Sequence, residues 1–287
     1  MSLINDYLNY IQKENLYSKN TVVSYKNDLH QFISYLKLKE ENELLKVDRN
    51  DIRNYIIFLS NNKYKPSSIH RKIAVLKGFY KFLLRKKIIE KTPLLNITLP
   101  KKIKRLPSFI LEEEIEKLLN INFHSQRDRI IFIMLLYTGM RCSELTNLKL
   151  DDIDLNKKQI KILGKRSKER IIPIGPFLVK EIEEYLKFRE KISYNSNYFI
   201  VTDKGKKAYS KLIYRTINKY LKIYSRVNKK SPHVLRHTIA TLLLNKGTNI
   251  NVIKEFLGHA NLAATQIYTH TTIESLKNIY KKTHPRT

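Results

Sequence analysis

Several short segments of the chain carry residue types that suit the breaking of a phosphodiester bond. They contain two arginines, a lysine, two histidines and a tyrosine: Arg141, Lys165, His233, Arg236, His259 and Tyr268. A phosphate under attack by a hydroxyl gains negative charge, which fixed cations and imidazoles stabilise. The attacking phenol must lose a proton, and the departing oxygen must gain one. The set therefore predicts phosphoryl transfer onto a tyrosine without the help of a metal ion.

The segments that contain these residues follow one another in a distinctive order. They are TGMRCSEL (138–145), LGKRSKER (163–170), SPHVLRHT (231–238), LGHA (257–260) and QIYTH (266–270). In this order and at this spacing they resemble the tyrosine recombinase (phage integrase) family, and within it the XerC/XerD type. Residues 18–32, 67–84 and 284–286 extend the resemblance over nearly the whole chain. It implies a site-specific recombinase that cuts and rejoins DNA through a 3′-phosphotyrosyl intermediate, with no cofactor, metal or ATP.

The resemblance gives a role to each residue that would act on the phosphate directly. Tyr268 is the expected nucleophile, which becomes a 3′-phosphotyrosine and frees a 5′-hydroxyl. Lys165 is the expected general acid for that leaving oxygen, with its neighbours Arg166 and Lys168 as rivals. Arg141 and Arg236 would hold the non-bridging oxygens. A planar guanidinium suits that task better than the point charge of lysine.

The histidines and one acidic residue complete the expected site. His233 would act as general base or as a hydrogen-bond partner of the phosphate, and His259 would donate to a non-bridging oxygen. Glu144 matches an acidic position of the family and is expected to orient Arg141. His237 and His270 also lie in the motifs, and we interpret them as packing or supporting groups.

Composition and charge favour an anionic polymer as the partner. The 287 residues carry a net charge of +29, and nucleic acid is the usual partner of such a chain. A lysine-rich composition typical of an AT-rich genome would account for part of the excess. The single cysteine, Cys142, excludes an internal disulfide and is interpreted as a small core residue. No long apolar run or signal peptide is present, which predicts a cytoplasmic, nucleoid-associated protein.

The N-terminal part has the apolar periodicity of a helical bundle. Residues 1–99 are predicted to be helical throughout and to form four amphipathic helices that bind DNA. Ser18 is a cap candidate for the second helix, and Pro66 opens the last long one. The cations expected on the exposed faces are Lys19, Lys26, Arg71, Lys72, Lys77 and Lys81.

The C-terminal part is predicted to be a mixed catalytic domain, so the fold class is mainly α with a small β-sheet. Residues 100–108 form a basic linker, and the domain covers 109–287. Helices are expected at 111–119, 130–137, 250–257, 262–270 and 273–282, with a hairpin of 158–163 and 170–174 that carries Lys165 at its tip. Ser231 as cap and Pro232 as first residue would start a helix that carries His233 and Arg236 on one face.

The resemblance also implies partners and an assembly. Two protomers would bind each recombination site of double-stranded DNA, and four would form the synapse, alone or with a paralogous recombinase. The site would be dif-like, the purpose would be chromosome dimer resolution, and a septal DNA translocase would be a further partner. Arg71, Lys72, Lys211, Arg215 and Lys219 are only candidates for reading bases.

Four alternatives remain open from the sequence. A mobile-element integrase or a type IB topoisomerase would share the chemistry. A DNA-binding regulator without chemistry would explain the helix-turn-helix-like pattern of 250–269, but not Arg141, Lys165 and Arg236. A metal enzyme would use His233 and His237, four apart as in H-E-x-x-H. Val234 stands where that motif has its glutamate.

Overall fold

The structure is a computed structural model that describes residues 2–14, 16–101, 108–164, 169–192 and 196–258. These residues are mostly helical and include one three-stranded antiparallel sheet. The chain forms two compact units, residues 1–105 and 106–287. The predicted fold class, mainly helical with a small sheet, is confirmed. The helices predicted at 262–270 and 273–282 lie outside the described residues.

In its described part, the N-terminal unit contains four α-helices and one 3₁₀-helix. They are α1 (Leu3–Lys13), α2 (Lys19–Leu36), the 3₁₀-helix (Glu41–Lys46), α3 (Arg49–Asn61) and α4 (Pro66–Arg85). Ser18 caps α2 as predicted, since its hydroxyl accepts from the Thr21 amide at 3.3 Å. Pro66 is the first residue of α4, also as predicted. Phe32, Tyr55 and Phe79 are fully buried in the core of this unit.

The prediction that residues 1–99 are helical throughout is wrong for its last part. Helix α4 ends at Arg85, and residues 86–101 form turns and extended chain. Lys87 and Asn96 adopt left-handed φ values of 55° and 54°, and Pro93 lies between them. A left-handed residue and an internal proline both interrupt the i to i−4 hydrogen bonds that a helix requires.

The prediction that Lys72 lies on an exposed face is also wrong. Its side chain is buried, and its ammonium contacts Asp28 Oδ1 at 2.7 Å and the amide oxygen of Gln31. Asp28 is itself buried and also pairs with Arg71, whose side chain remains half exposed. Lys72 therefore belongs to an internal ion pair between α2 and α4, and we remove it from the candidates for base contacts.

The described part of the C-terminal unit contains seven α-helices and three strands. They are α5 (Glu112–Leu119), α6 (Gln126–Thr138), α7 (Cys142–Asn147), β1 (Ile153–Asp154), β2 (Gln159–Leu163), β3 (Glu169–Pro173), α8 (Pro176–Glu190), α9 (Ser210–Tyr224), α10 (Pro232–Asn245) and α11 (Ile250–Leu257). A short 3₁₀-helix (Leu150–Asp152) precedes β1. Helix α6 is buried along Ile130–Thr138 and packs against α8, α9 and α10, so it is the central element of this unit.

The sheet places one face of the hairpin against the core. Strands β1, β2 and β3 pair antiparallel in that order, and Ile160 lies opposite Ile172 with both side chains buried. The predicted hairpin is confirmed within one residue at each strand end. The predicted tip with Lys165 lies outside the described residues. Within the part of the chain that the structure describes, no helix is long and apolar enough to cross a membrane.

Candidate active site

Arg141 is held at the start of α7 by a tight turn that ends α6. Gly139 caps α6 with φ of 58°, a left-handed conformation that favours glycine. A Cβ at Gly139 would lie 2.5 Å from Leu257 Cδ2 and 2.9 Å from Ile239 Cγ2, so this turn packs tightly against α10 and α11. Arg141 follows as the N-cap residue of α7, with its side chain about one third exposed.

Arg236 enters the same region from the first turns of α10. Pro232 is the first residue of α10, as predicted. Ser231 occupies the cap position, but the prediction that its side chain caps the helix is wrong. The hydroxyl is buried and has no hydrogen-bond partner among the described residues. Arg236 is buried, and its Nη1 donates to the carbonyl oxygen of Gly139.

Three arginines converge on the last carbonyl groups at the C-terminal end of α11. Arg170 Nε donates to the Phe256 oxygen at 3.0 Å, Arg236 Nη2 donates to the Leu257 oxygen, and Arg141 Nη2 donates to the Gly258 oxygen at 3.0 Å. The last carbonyls of a helix lack partners within the helix, and they form the negative end of its dipole. Guanidinium groups from three separate elements are therefore anchored on one helix end.

Glu144 lies between two of these arginines and is saturated with donors. Its carboxylate accepts from the Arg141 amide at 2.9 Å and Arg141 Nη1 at 2.6 Å, and from Arg170 Nη1 at 3.2 Å and Nη2 at 2.7 Å. Burial acts to raise the pKa of this carboxyl, but Arg170 and Arg141 outweigh burial and hold it below its usual value. Glu144 is therefore ionised and contacts Arg141 as the sequence led us to expect.

His233 lies on α10 close to the same charges. Burial, and then electrostatic interaction with Lys229, His237, Arg236 and Arg141, lower the pKa of the His233 imidazole below its ordinary value. The residue still reaches the surface, so the ring is accessible and neutral at pH 7. His237 is exposed, so it is not a packing residue, and the prediction that it is a supporting group stays a prediction.

The cluster is electrostatically prepared for an anion. Burial, and then the neighbouring charge of Arg141, lower the pKa of Arg236 to about 10, so the guanidinium remains charged at pH 7. Among the described residues, three arginines lie around a single carboxylate, which leaves this part of the cluster net positive. A guanidinium has five N–H donors, and the side chain of Arg141 donates one hydrogen bond to Glu144 and one to the Gly258 carbonyl oxygen. Further donors of Arg141, beside a neutral imidazole, can bind and polarise a phosphate.

Arg170 is a member of this cluster that sequence reasoning missed. Its register partner is Ile162, and it lies on the same strand face as the buried Ile172. An arginine at an inward position of an alternating strand was the available signal, because a buried cation needs a partner. The basic composition of the neighbouring hairpin segment concealed that signal.

The structure thus brings together Arg141, His233 and Arg236 from the predicted set. Lys165, His259 and Tyr268 lie outside the described residues, as does His270. Cys142 is partly buried against the core, and burial raises the pKa of its thiol to about 11. It is therefore a protonated packing residue at neutral pH and a poor nucleophile.

Comparisons with known proteins extend over both units. Residues 108–275 match the phage integrase family, and residues 4–87 match the phage integrase N-terminal SAM-like domain. The chain is 39% identical over 285 residues to tyrosine recombinase XerC of Staphylococcus epidermidis, covering 98% of this chain and 96% of that protein. It is 38% identical over 287 residues to tyrosine recombinase XerC of Staphylococcus aureus, covering 98% and 95%.

Two solved structures share the fold of this chain. The crystal structure of XerA recombinase is 30% identical, with a TM-score of 0.51 and full coverage of both chains. The XerH site-specific recombinase bound to palindromic difH substrate has a TM-score of 0.70 at 23% identity, covering 96% of this chain and 94% of that one. The chain belongs to the phage integrase family. Within it, the chain is a tyrosine site-specific recombinase similar to XerC, which confirms the resemblance seen in its motifs.

Proposed function

We propose that this recombinase cuts and rejoins double-stranded DNA at a dif-like site through Tyr268, and that it resolves chromosome dimers. The observation that carries the proposal is the anchoring of Arg141, Arg236 and Arg170 on the C-terminal end of α11, next to a neutral His233. A net positive, preorganised cluster of this kind stabilises the charge that develops on a phosphate under attack. The 37–39% identity to XerC proteins supports the same biological role.

The chemistry assigns one task to each residue. The Tyr268 phenol oxygen bonds to the phosphorus while the bond from phosphorus to the 5′-oxygen breaks. His233 is the group that takes the phenol proton, because a lowered pKa keeps its imidazole in the basic form. Lys165 supplies a proton to the leaving 5′-oxygen. Arg141, Arg236 and His259 donate hydrogen bonds to the non-bridging oxygens.

The intermediate explains why strands can be exchanged without an energy source. The phosphotyrosyl ester retains the energy of the broken phosphodiester. A 5′-hydroxyl from another strand can therefore attack it, take the phosphoryl group and release the phenol of Tyr268. The reverse steps use the same residues in opposite proton-transfer roles.

The proposal includes an assembly and an organisation of the chain. Residues 1–99 bind DNA as a separate domain, 100–108 link it, and 109–287 form the catalytic domain. Two protomers bind each site and four form the synapse, as a homotetramer or with a paralogous recombinase. A septal DNA translocase activates the complex, and the protein resides in the cytoplasm on the nucleoid. The XerH structures with difH substrate support a dif-like duplex as the target.

A plasmid assay separates this function from its chemical relatives. A supercoiled plasmid with two directly repeated dif-like sites from the host chromosome is incubated with the chain, alone and with its paralogue. The proposal predicts two smaller circles that depend on both sites and on Tyr268. Relaxation of a plasmid that lacks the sites would indicate a topoisomerase instead. Recombination only at the ends of a mobile element would indicate an integrase.

A further inference from the structure

Arg170 is a buried cation that joins three elements of the catalytic unit. Arg170 lies at an inward-facing position of β3, where the alternation of inward and outward residues predicts an apolar side chain. Its two terminal nitrogens contact the two oxygens of Glu144 at 3.2 and 2.7 Å, and its Nε reaches the Phe256 oxygen at 3.0 Å. The side chains of Arg170 and Glu144 are each 5% exposed, so solvent cannot replace either partner.

The C-terminal end of α11 is fitted around this side chain. Gly258 has φ of 67°, and a Cβ added there would lie 3.0 Å from Arg170 Nη1 and 3.3 Å from its Cδ and Cζ. The Gly258 carbonyl oxygen is also the acceptor for Arg141 Nη2. Arg170 therefore fixes both the helix end that Arg141 grips and the carboxylate that orients Arg141.

We propose that Arg170 is a positioning residue for the phosphate-binding arginine, Arg141. This inference rests on the proposed function, because it assigns Arg141 to the phosphate. In this role Arg170 does not bind the phosphate itself. It acts through Glu144 and through the carbonyl end of α11.

The physical reason is competition for one carboxylate. Arg141 Nη1 and Arg170 Nη1 both donate to Glu144 Oε1. With Arg170 present, Glu144 divides its oxygens between two guanidiniums, and Arg141 keeps donors for a phosphate. Without Arg170, the carboxylate is free to form a two-pronged pair with Arg141 alone. That pair would withdraw the Arg141 donors from the substrate and neutralise the charge that the phosphate needs.

The test compares Arg170→Gln with Arg129→Gln in the full chain. Arg129 is a matched control, because its Nε pairs with the buried Glu181 at 2.7 Å between α6 and α8, away from the cluster. Single-turnover formation of the covalent adduct is measured on a nicked dif-like duplex at saturating protein, well below the melting temperature of each variant. We expect Arg170→Gln to slow the reaction about 100-fold with an unchanged Kd for DNA, and Arg129→Gln to slow it less than about threefold.

A double-mutant cycle with Arg141→Lys distinguishes positioning from simple stabilisation. If Arg170 acts through Arg141, the loss in the Arg141→Lys/Arg170→Gln variant is much smaller than the product of the single losses. Arg170→Lys keeps the charge but not the paired contacts, and a loss of about 10-fold is expected even if the glutamine variant does not fold.

Each outcome decides the inference. Equal rates for Arg170→Gln and Arg129→Gln, or independent losses in the cycle, would overturn the positioning role and leave the recombinase chemistry intact. A wild-type chain that forms no adduct either alone or with its paralogue would overturn the proposed function, and the inference would fall with it.

Discussion

At the scale of single residues, Arg141 and Arg170 are held by Glu144, a buried, ionised carboxylate that lies between them. Glu144→Gln removes that charge and leaves the buried Arg170 without its ionic partner. We expect the free energy of unfolding at pH 7 to fall by about 3–5 kcal/mol. Urea unfolding measures this change. Glu169→Gln is the control, since its pair with Lys161 is exposed and should change stability by less than about 1 kcal/mol.

The contribution of Glu144 should also depend on pH in one direction. Its folded-state pKa lies below the ordinary value of 4.5. Its stabilising effect is therefore complete above about 4.5 and is lost as the pH falls through the folded-state pKa. The stability difference between wild type and Glu144→Gln should shrink when unfolding is measured at progressively lower pH below 4.5. A difference that stays constant down to the acid transition would contradict an ionised Glu144.

The protonation of His233 gives a second prediction at this scale. Because the imidazole pKa is lowered from 6.5, the basic form predominates at pH 7 and disappears only at lower pH. The rate of adduct formation at subsaturating DNA should be flat near neutrality and fall only at a pH below the ordinary imidazole pKa of 6.5. His233→Gln should slow the reaction and abolish that fall. If His233→Gln loses activity over the same acidic pH range as wild type, another group is responsible for the fall.

At the scale of elements, the C-terminal end of α11 is the part on which three arginines depend. Gly258→Ala combines a left-handed backbone with a Cβ placed against Arg170, so we expect a loss of roughly 2–4 kcal/mol in stability and a slower reaction. Gly247→Ala is matched to it, since φ is 80° but no atom of the described residues lies within 4 Å of the added Cβ. That variant should lose only about 1 kcal/mol and keep its activity. Equal losses in the two variants would show that the contact with Arg170 does not matter.

Most elements could be predicted from the sequence because their signals are local. Proline at the first position of α4 and α10, and glycine after α6 and α11, set helix ends through backbone geometry alone. The side-chain contacts of Ser231 could not be predicted, because the residue type at a cap position does not determine which hydrogen bond its side chain forms. The burial of Lys72 and of Arg170 could not be predicted from the sequence either. Their partners, Asp28 and Glu144, are distant in the sequence, and charge pattern along a chain does not reveal such pairs.

At the scale of the whole molecule, the charge of +29 should control DNA binding through the phosphates. Lys211, Arg215 and Lys219 are exposed and four residues apart on α9, so they share one face. Log affinity falls as log salt concentration rises, and replacing all three residues with alanine should make this slope less steep by about 2–3. Filter binding across a salt series measures that slope.

A matched triple variant tests whether the effect belongs to α9. Lys180, Lys187 and Lys191 lie on or just after α8, interspersed with acidic residues, and are equally exposed. Their replacement by alanine should leave the slope nearly unchanged. Equal slopes for the two triple variants would show that α9 does not form a phosphate contact surface.

The most direct test of the proposed cleavage chemistry is detection of the covalent intermediate. Purified wild type and Tyr268→Phe are incubated with a nicked dif-like duplex that loses a short fragment on cleavage, and the products are separated in SDS. We predict a protein–DNA adduct from wild type only, linked to the 3′-phosphate. An adduct from both proteins would contradict Tyr268 as the nucleophile. Specific binding by both without an adduct, even when the paralogue is added, would contradict the proposed cleavage chemistry.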